Sequence, residues 1–280
     1  MKLGIAFSGG GVKGAAHIGV LKALNENNIK IDAVAGTSAG SIVAALYAMG
    51  YTPEEMIKLF RYFAKGLLRA NPGEMVTNVK SGKGIRLDGA LSSINVELAL
   101  REAAKYKNLK NINELKIPIA IPTVDINTSK KYVFTNYNQE EDYYIKNIEI
   151  AKAVRASCSY PGVFAPFDYK EYRFVDGGVL DNIPADEVKK LGVDKILSIK
   201  FVLNKNSKPK GIYNIAMKSI DTIFEGLARE CINISDIVFD IDVSKSSVFN
   251  IKKIDYCYEE GYKYAISQIS RLRNVLQEFE

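Results

Sequence analysis

Two short apolar runs near the start of the chain each pass directly into a helix-like stretch, and both passages are built from glycine and serine. Residues 2–7 ("KLGIAF") lead through "SGGGVKG" into "AAHIGVLKALNENN", and residues 31–36 lead through "GTSAG" into a run from about Ser38 to Met49 that Gly50 closes as a C-cap. The leading runs are too short for helices, whereas the following ones repeat apolar residues at helical spacing, Ile18, Leu21 and Leu24 in the first. Each unit therefore reads as strand then helix. With connections this short, parallel strands and right-handed crossovers are the arrangement that packs. The expectation is an α/β fold of three layers, α/β/α, around a mostly parallel central sheet.

The rest of the chain continues that pattern. Residues from Leu68 to Asp88 are rich in Gly, Asn and Lys and read as a surface loop. A helix is predicted from about Ala90 to Tyr106, two strands with a turn between them in "IPIAIPTVDINTSKKYVFT", and a helix from Asn147 to Ala156. "YRFVDGGVLDNIPADEVKKLGVDKILSIKFV" reads as strand, tight turn, short helix with Pro184 near its start, and strand. The last third supplies a helix (Ile212 to Arg229), a strand (Asp236 to Ile241) and a tyrosine-rich helix from about Asp255 to Phe279, expected to pack against the domain. No repeat or low-complexity linker divides the 280 residues, so 1–280 reads as one domain, with 201–280 part of the same unit.

"GGGVKG" (Gly9 to Gly14) satisfies the GxGxxG spacing, after a strand and before a helix, as a dinucleotide-binding fingerprint does. That fingerprint also needs an acid at the end of the second strand to hold the ribose. Here the only acid of that strand, Asp32, stands at its beginning, and the strand end carries a serine. Three adjacent glycines have another use: the N–H groups of Gly9, Gly10 and Gly11 can turn toward one point at the positive end of a helix. That cradle suits a phosphate or the oxyanion of an acyl transfer.

"GTSAG" fits GxSxG, the nucleophile elbow, in which a strained turn lifts the serine oxygen clear of the backbone. Ser38 is also a good N-cap, which is the plainer role for it. Turns after adjacent parallel strands open at the same sheet edge, so the glycine loop and Ser38 can face one carbonyl. A serine hydroxyl needs a base. The single histidine, His17, precedes Ser38 in the first turns of the first helix, so a triad in α/β-hydrolase order cannot be built. For His17 packing is the simpler role. Among carboxylates and lysines, Asp176 is the leading base: "FVDGG" puts it at a strand end, where Asp-Gly alone would mean only a tight turn. Burial can raise a carboxylate's proton affinity until it accepts a serine proton directly.

The series "GGGVKG", "GTSAG" and "DGG", with the blocks "GAAHIGVLKAL", "ASCSYPGVFAPF" and "DGGVLDNIPAD", resembles the patatin-like phospholipases over roughly residues 3–200. The resemblance implies a serine acyl hydrolase of phospholipase A or lysophospholipase type. It implies Ser38 as nucleophile, Asp176 as its base, the amides of Gly9, Gly10 and Gly11 as an oxyanion hole, no metal, no cofactor and acyl lipids as substrate. Lys13 stands where many members carry arginine, which keeps the charge and loses the planar fork. Two other classes stay open: a dinucleotide-dependent oxidoreductase, and a lipid-binding scaffold without turnover.

Composition bounds the setting. The 38 basic residues are interleaved with 32 acidic ones, and the net charge of +6 does not indicate nucleic acid binding. Neither a signal-peptide core nor a membrane span is evident, so the reading is cytoplasmic, with peripheral membrane association as an extension. Three cysteines (Cys158, Cys231, Cys257) suggest neither disulfides nor zinc and read as buried thiols. "MIKLFRYFAKGLLRAN" sets Lys58, Arg61, Lys65 and Arg69 on one helix face and Leu59, Phe60, Phe63 and Leu67 on the other. Such a helix can lie on an anionic membrane, although a core-packed helix with a solvated basic stripe has the same pattern and is favoured. The sequence is silent on oligomeric state.

Overall fold

The computed structural model describes residues 1–67, 94–202 and 209–277. The loop expected at Leu68 to Asp88 and Arg69 lie outside the described residues, as do the side chains of Lys65, Leu67 and Cys231. The elements run β1 (Leu3–Phe7), α1 (Ala15–Glu26), β2 (Ala33–Gly36), α2 (Ala39–Ala48), α3 (Pro53–Leu67), α4 (Ile94–Tyr106), β3 (Ile119–Asp125) and β4 (Lys130–Thr135). They continue through β5 (Tyr144–Ile145), α5 (Ile150–Ser157), β6 (Phe167–Tyr169), β7 (Tyr172–Asp176), α6 (Ala185–Lys190), β8 (Lys195–Phe201), α7 (Ile212–Ile232), β9 (Ile237–Ile241) and α8 (Ile254–Gln277).

The strands form one sheet in the order β5-β4-β3-β2-β1-β8-β9, with β7 also on β3 and β6 on β7. Five pairings are parallel: β1 with β2, β1 with β8, β2 with β3, β8 with β9, and β4 with β5. β3 pairs antiparallel with both β4 and β7, and β6 with β7. The sheet is mostly parallel, as the opening units require. β1, β2 and β3 are buried along their whole length, which is why they read as unbroken apolar runs.

One departure from regular winding matters for the site. β2 is four residues long and pairs with β3 only through Val34↔Ile119 and Ala35↔Ala120. β4 covers the other edge of β3 from Ala120 to Asp125. β7 therefore takes the edge that β2 leaves vacant, pairing Thr123↔Asp176, Val124↔Val175 and Asp125↔Phe174. A strand that arrives antiparallel in that gap delivers its last residue, Asp176, beside the turn with which β2 ends.

The last third is continuous with the sheet. β9 extends it through β8, and α8 lies along α1. The helices touch backbone to backbone: a Cβ on Gly19 would overlap the Tyr258 carbonyl, and one on Gly261 the Ala16 carbonyl. Tyr258 is buried in this contact, and Tyr256, Tyr262 and Tyr264 are half-buried, as expected of the tyrosine-rich helix.

α3 begins with a capping box in which Thr52 and Glu55 exchange backbone N–H bonds, Pro53 being its first residue. Met56, Phe60 and Phe63 are buried, Leu59 is half-buried and Lys58 is exposed. Arg61 pairs with Asp255 at 2.7 Å. The core-packed alternative describes this helix. No helix among the described residues is long and apolar enough to cross a membrane. Cys158 and Cys257 are buried and unpaired with each other.

Candidate active site

The turn after β2 has the geometry of an elbow. Ser38 has φ 53° and ψ −123°, a conformation sparsely populated by any residue with a side chain. The turn is tight enough that a Cβ on Gly36 would overlap the Gly40 carbonyl, and one on Gly40 the Phe7 carbonyl. Both glycines of GxSxG are thus required for closeness. Ser38 occupies the N-cap position of α2, but its side chain makes no capping hydrogen bond. The plainer role is not the one it fills, and the hydroxyl is left to face the space outside the turn.

Three outside groups hold the turn in place. The Ser38 N–H donates to Ser157 Oγ at 3.0 Å, Ser41 Oγ donates to the Ser38 carbonyl at 2.6 Å, and Thr37 Oγ1 donates to the Asp181 carbonyl at 2.8 Å. Asp176 is fixed from the same directions: its N–H donates to the Ser159 carbonyl at 3.0 Å, and its Oδ1 accepts the Gly178 N–H at 2.8 Å. One segment, "ASCSYPG", therefore braces both Ser38 and Asp176 through residues two apart.

Asp176 is fully buried. Burial pushes its carboxyl up to about 7, and the neighbouring Ser38 hydroxyl and the Gly178 N–H draw it partly back. Its Oδ2 is buried and has no partner of hydrogen-bond geometry. The Ser38 hydroxyl thus lies close enough to draw the carboxyl down while Oδ2 stays without a hydrogen bond of full geometry.

His17 belongs elsewhere. It is fully buried between Phe7 and Phe201, with ring centroids 5.2 Å and 4.7 Å away, and burial lowers its imidazole to about 4. Its Nε2 lies 2.8 Å from the Ser8 carbonyl, so that nitrogen carries the proton and donates. It packs under the glycine loop and fixes the loop's first carbonyl.

The glycine loop differs from expectation at one position. The Gly9 N–H already donates to Asn182, to the main-chain carbonyl and to Oδ1, both at 3.2 Å. Its place in the expected amide cradle is therefore filled. Among the described residues the N–H groups of Gly10 and Gly11 have no acceptor. Sequence reasoning missed Asn182, Ser157 and Ser159. Asn182 lies in the quoted block "DGGVLDNIPAD", but nothing local marks a residue whose role is to reach a loop more than 170 positions earlier.

These groups line a cavity of about 170 Å³, in which the glycine loop, Ser38 and Asp176 form the polar end. Phe60 and Phe63 of α3, Phe164, Phe224 of α7 and Phe249 supply apolar walls. Lys13, buried near Asp242 and Cys257, and Lys200, paired with Asp240, add positive charge. Asp32 accepts the Leu3 N–H and pairs with Lys30 at 2.6 Å at the opposite end of β2, away from any ribose position. Asp181, Asp186 and Glu187 converge to within 4.8 Å, the spacing of metal ligands. The Lys131 ammonium sits 3.0, 2.9 and 2.8 Å from them and fills that role.

Comparison with known proteins points one way. The family model described as patatin-like phospholipase matches residues 5–189. Lysophospholipase NTE1 of Meyerozyma guilliermondii is 30% identical over 206 residues, covering 70% of this chain and 12% of that protein. Patatin-like phospholipase domain-containing protein 6 of Homo sapiens is 29% identical over 199 residues, covering 70% and 13%. The chain thus spans about an eighth of the length of these relatives. YqhO of Bacillus subtilis, an uncharacterized protein, is 26% identical and matched over 96% of both chains. Among solved structures, VipD of Legionella pneumophila superposes with a TM-score of 0.56 at 15% identity, covering 96% of this chain and 67% of that one. Human GIVD cytosolic phospholipase A2 in complex with methyl gamma-linolenyl fluorophosphonate gives 0.52 at 10% identity, covering 99% and 58%. At these identities the structural likeness concerns the fold.

Proposed function

Because the chain belongs to the patatin-like phospholipase family, we propose that it is a serine lipid acyl hydrolase that cleaves carboxylic esters of phospholipids or lysophospholipids through Ser38 and Asp176. The observation that carries the reading is the pairing of Thr123 with Asp176, which brings a buried carboxyl with raised proton affinity to a serine held at positive φ. A lone buried carboxyl would be a liability; beside an uncapped serine it is a base near its working pH.

The steps follow from the groups present. Ser38 Oγ adds to the ester carbonyl carbon while its proton passes to Asp176. The carbonyl oxygen becomes an oxyanion facing the Gly10 and Gly11 N–H groups, at the positive end of the following helix. The C–O bond to the alcohol breaks, and Asp176 returns the proton to the departing alkoxide. Water then gives a proton to Asp176 as it adds to the acyl-Ser38 carbonyl, and collapse releases the fatty acid and restores the serine. Asn182 shapes the loop by occupying Gly9, and the phenylalanine walls take the acyl chain. The relatives named lysophospholipase support an acyl-lipid substrate, and membrane contact at the cavity mouth suits it.

Labelling the intact protein with an alkyl fluorophosphonate tests the reading. One adduct is expected, on Ser38; Ser38→Ala should take none, and Asp176→Asn should react at least a hundredfold more slowly. Labelling that spares Ser38, or is unaffected by Asp176→Asn, overturns it.

A further inference from the structure

Helix α7 turns apolar side chains in two directions. Inward, Phe224 is 8% exposed, walls the cavity, meets the Tyr160 ring at 5.8 Å and covers Gly178 next to Asp176. Outward, Ile212 is 90% exposed, Ile215 51%, Ile223 57% and Leu227 37%. At 3.6 residues per turn these four fall within an arc of about 120°, so they form a stripe along the helix rather than scattered exposures. An exposed apolar helix face of this kind marks a docking surface. Leu180, in the turn after Asp176, and Phe249, at the cavity wall, are apolar and 42% and 41% exposed as well.

We propose that α7 is a lipid-docking helix, seating its outer stripe on an anionic membrane surface with the cavity beside it. Two observations select a lipid surface over a second copy of the chain. The helix that carries the stripe also walls the cavity beside Asp176, so an acyl chain leaving a bilayer along α7 is led toward Ser38, whereas a protein partner seated there would stand beside the entrance. The sign of the charge agrees for the chain as a whole, which carries +6. What enters the cavity rests on the hydrolase reading above; the docking itself requires no turnover.

The test is co-sedimentation of the full chain with vesicles of phosphatidylcholine and phosphatidylglycerol, or phosphatidylcholine alone, alongside hydrolysis of a water-soluble butyrate ester. Wild type and Ser38→Ala should both bind the anionic vesicles, and bind neutral ones at least threefold less. The double variant Ile215→Glu with Ile223→Glu should bind them at least tenfold less, while its turnover of the soluble ester stays within twofold, since neither residue lines the cavity. Undiminished binding by the double variant, or none by wild type, overturns the proposal. So does a wild-type dimer that becomes monomeric in the double variant, because the stripe is then a protein interface. Vesicle binding by a protein without ester turnover would keep the docking and remove the hydrolase.

Discussion

At the scale of single residues, two unfavourable placements define the site: a serine at φ 53° and a carboxyl buried at the wall of the cavity. A non-glycine residue in such a backbone well costs on the order of 1–3 kcal/mol. Ser38→Gly should therefore raise thermal stability by about 1 kcal/mol, after allowance for glycine's freer unfolded chain, while abolishing fluorophosphonate labelling. In the proposed mechanism Asp176 accepts the serine proton as a carboxylate, so kcat/KM is expected to rise with pH through about 7. His17 titrates near 4 and cannot produce that limb, so His17→Gln should keep its midpoint while lowering stability. A limb that vanishes with His17→Gln would assign the base to the imidazole. Ser38 and Asp176 were legible in the sequence because each sits in a short pattern with a mechanical reason. Ser157 and Asn182 were not, because a hydrogen bond across 119 or 173 positions leaves no local mark.

At the scale of elements, the site is assembled by whatever comes to the edge of β3. The parallel strands could be read from apolar runs, but the antiparallel entry of β7 could not, since pairing direction has no signature in a five-residue strand. The short β5 and β6 escaped for the same reason: two or three residues show no period. The segment after Asp176 then returns to clasp both loops, through the Asp181 carbonyl on Thr37 and Asn182 on Gly9. Removing the clasp at Asn182 should loosen the glycine loop. Asn182→Ala is expected to lower kcat about tenfold, an effect of one modest hydrogen bond, with a smaller change in KM. The clasp is anchored by Lys131, whose ammonium, held well above its usual range by Asp181, Asp186 and Glu187, bonds to all three carboxylates and offsets part of their mutual repulsion. Lys131→Met leaves those charges opposed and should destabilise the fold by roughly 3 kcal/mol, measured by denaturant titration.

At the scale of the whole molecule, two of the buried ionisable groups, His17 and Asp176, give stability opposite pH dependences. His17, whose proton affinity is depressed, favours the fold when neutral; that contribution is complete above 6.5 and disappears as pH falls toward 4. Asp176, whose proton affinity is raised, penalises the fold when ionised; the penalty is absent below 3.8 and complete above about 7. Each is worth on the order of a few kcal/mol and they nearly cancel between pH 4 and 6.5. Asp176→Asn should therefore be more stable than wild type at pH 8 and lose stability more steeply on acidification, as seen in melts across pH. The same scale shows what motifs leave out. The segment that the family model matches ends at residue 189, before β8 and α8. Yet β8 completes the far side of β1, and α8 lies against α1 at the Gly19 and Gly261 contact, so the strand and helix that frame the glycine loop are supported from beyond the recognisable region. A protein trimmed to its motifs would keep both Ser38 and Asp176 and expose a raw sheet edge next to a stripped helix. It is expected to precipitate, which makes the anonymous C-terminal third the part that decides where this chain may be cut.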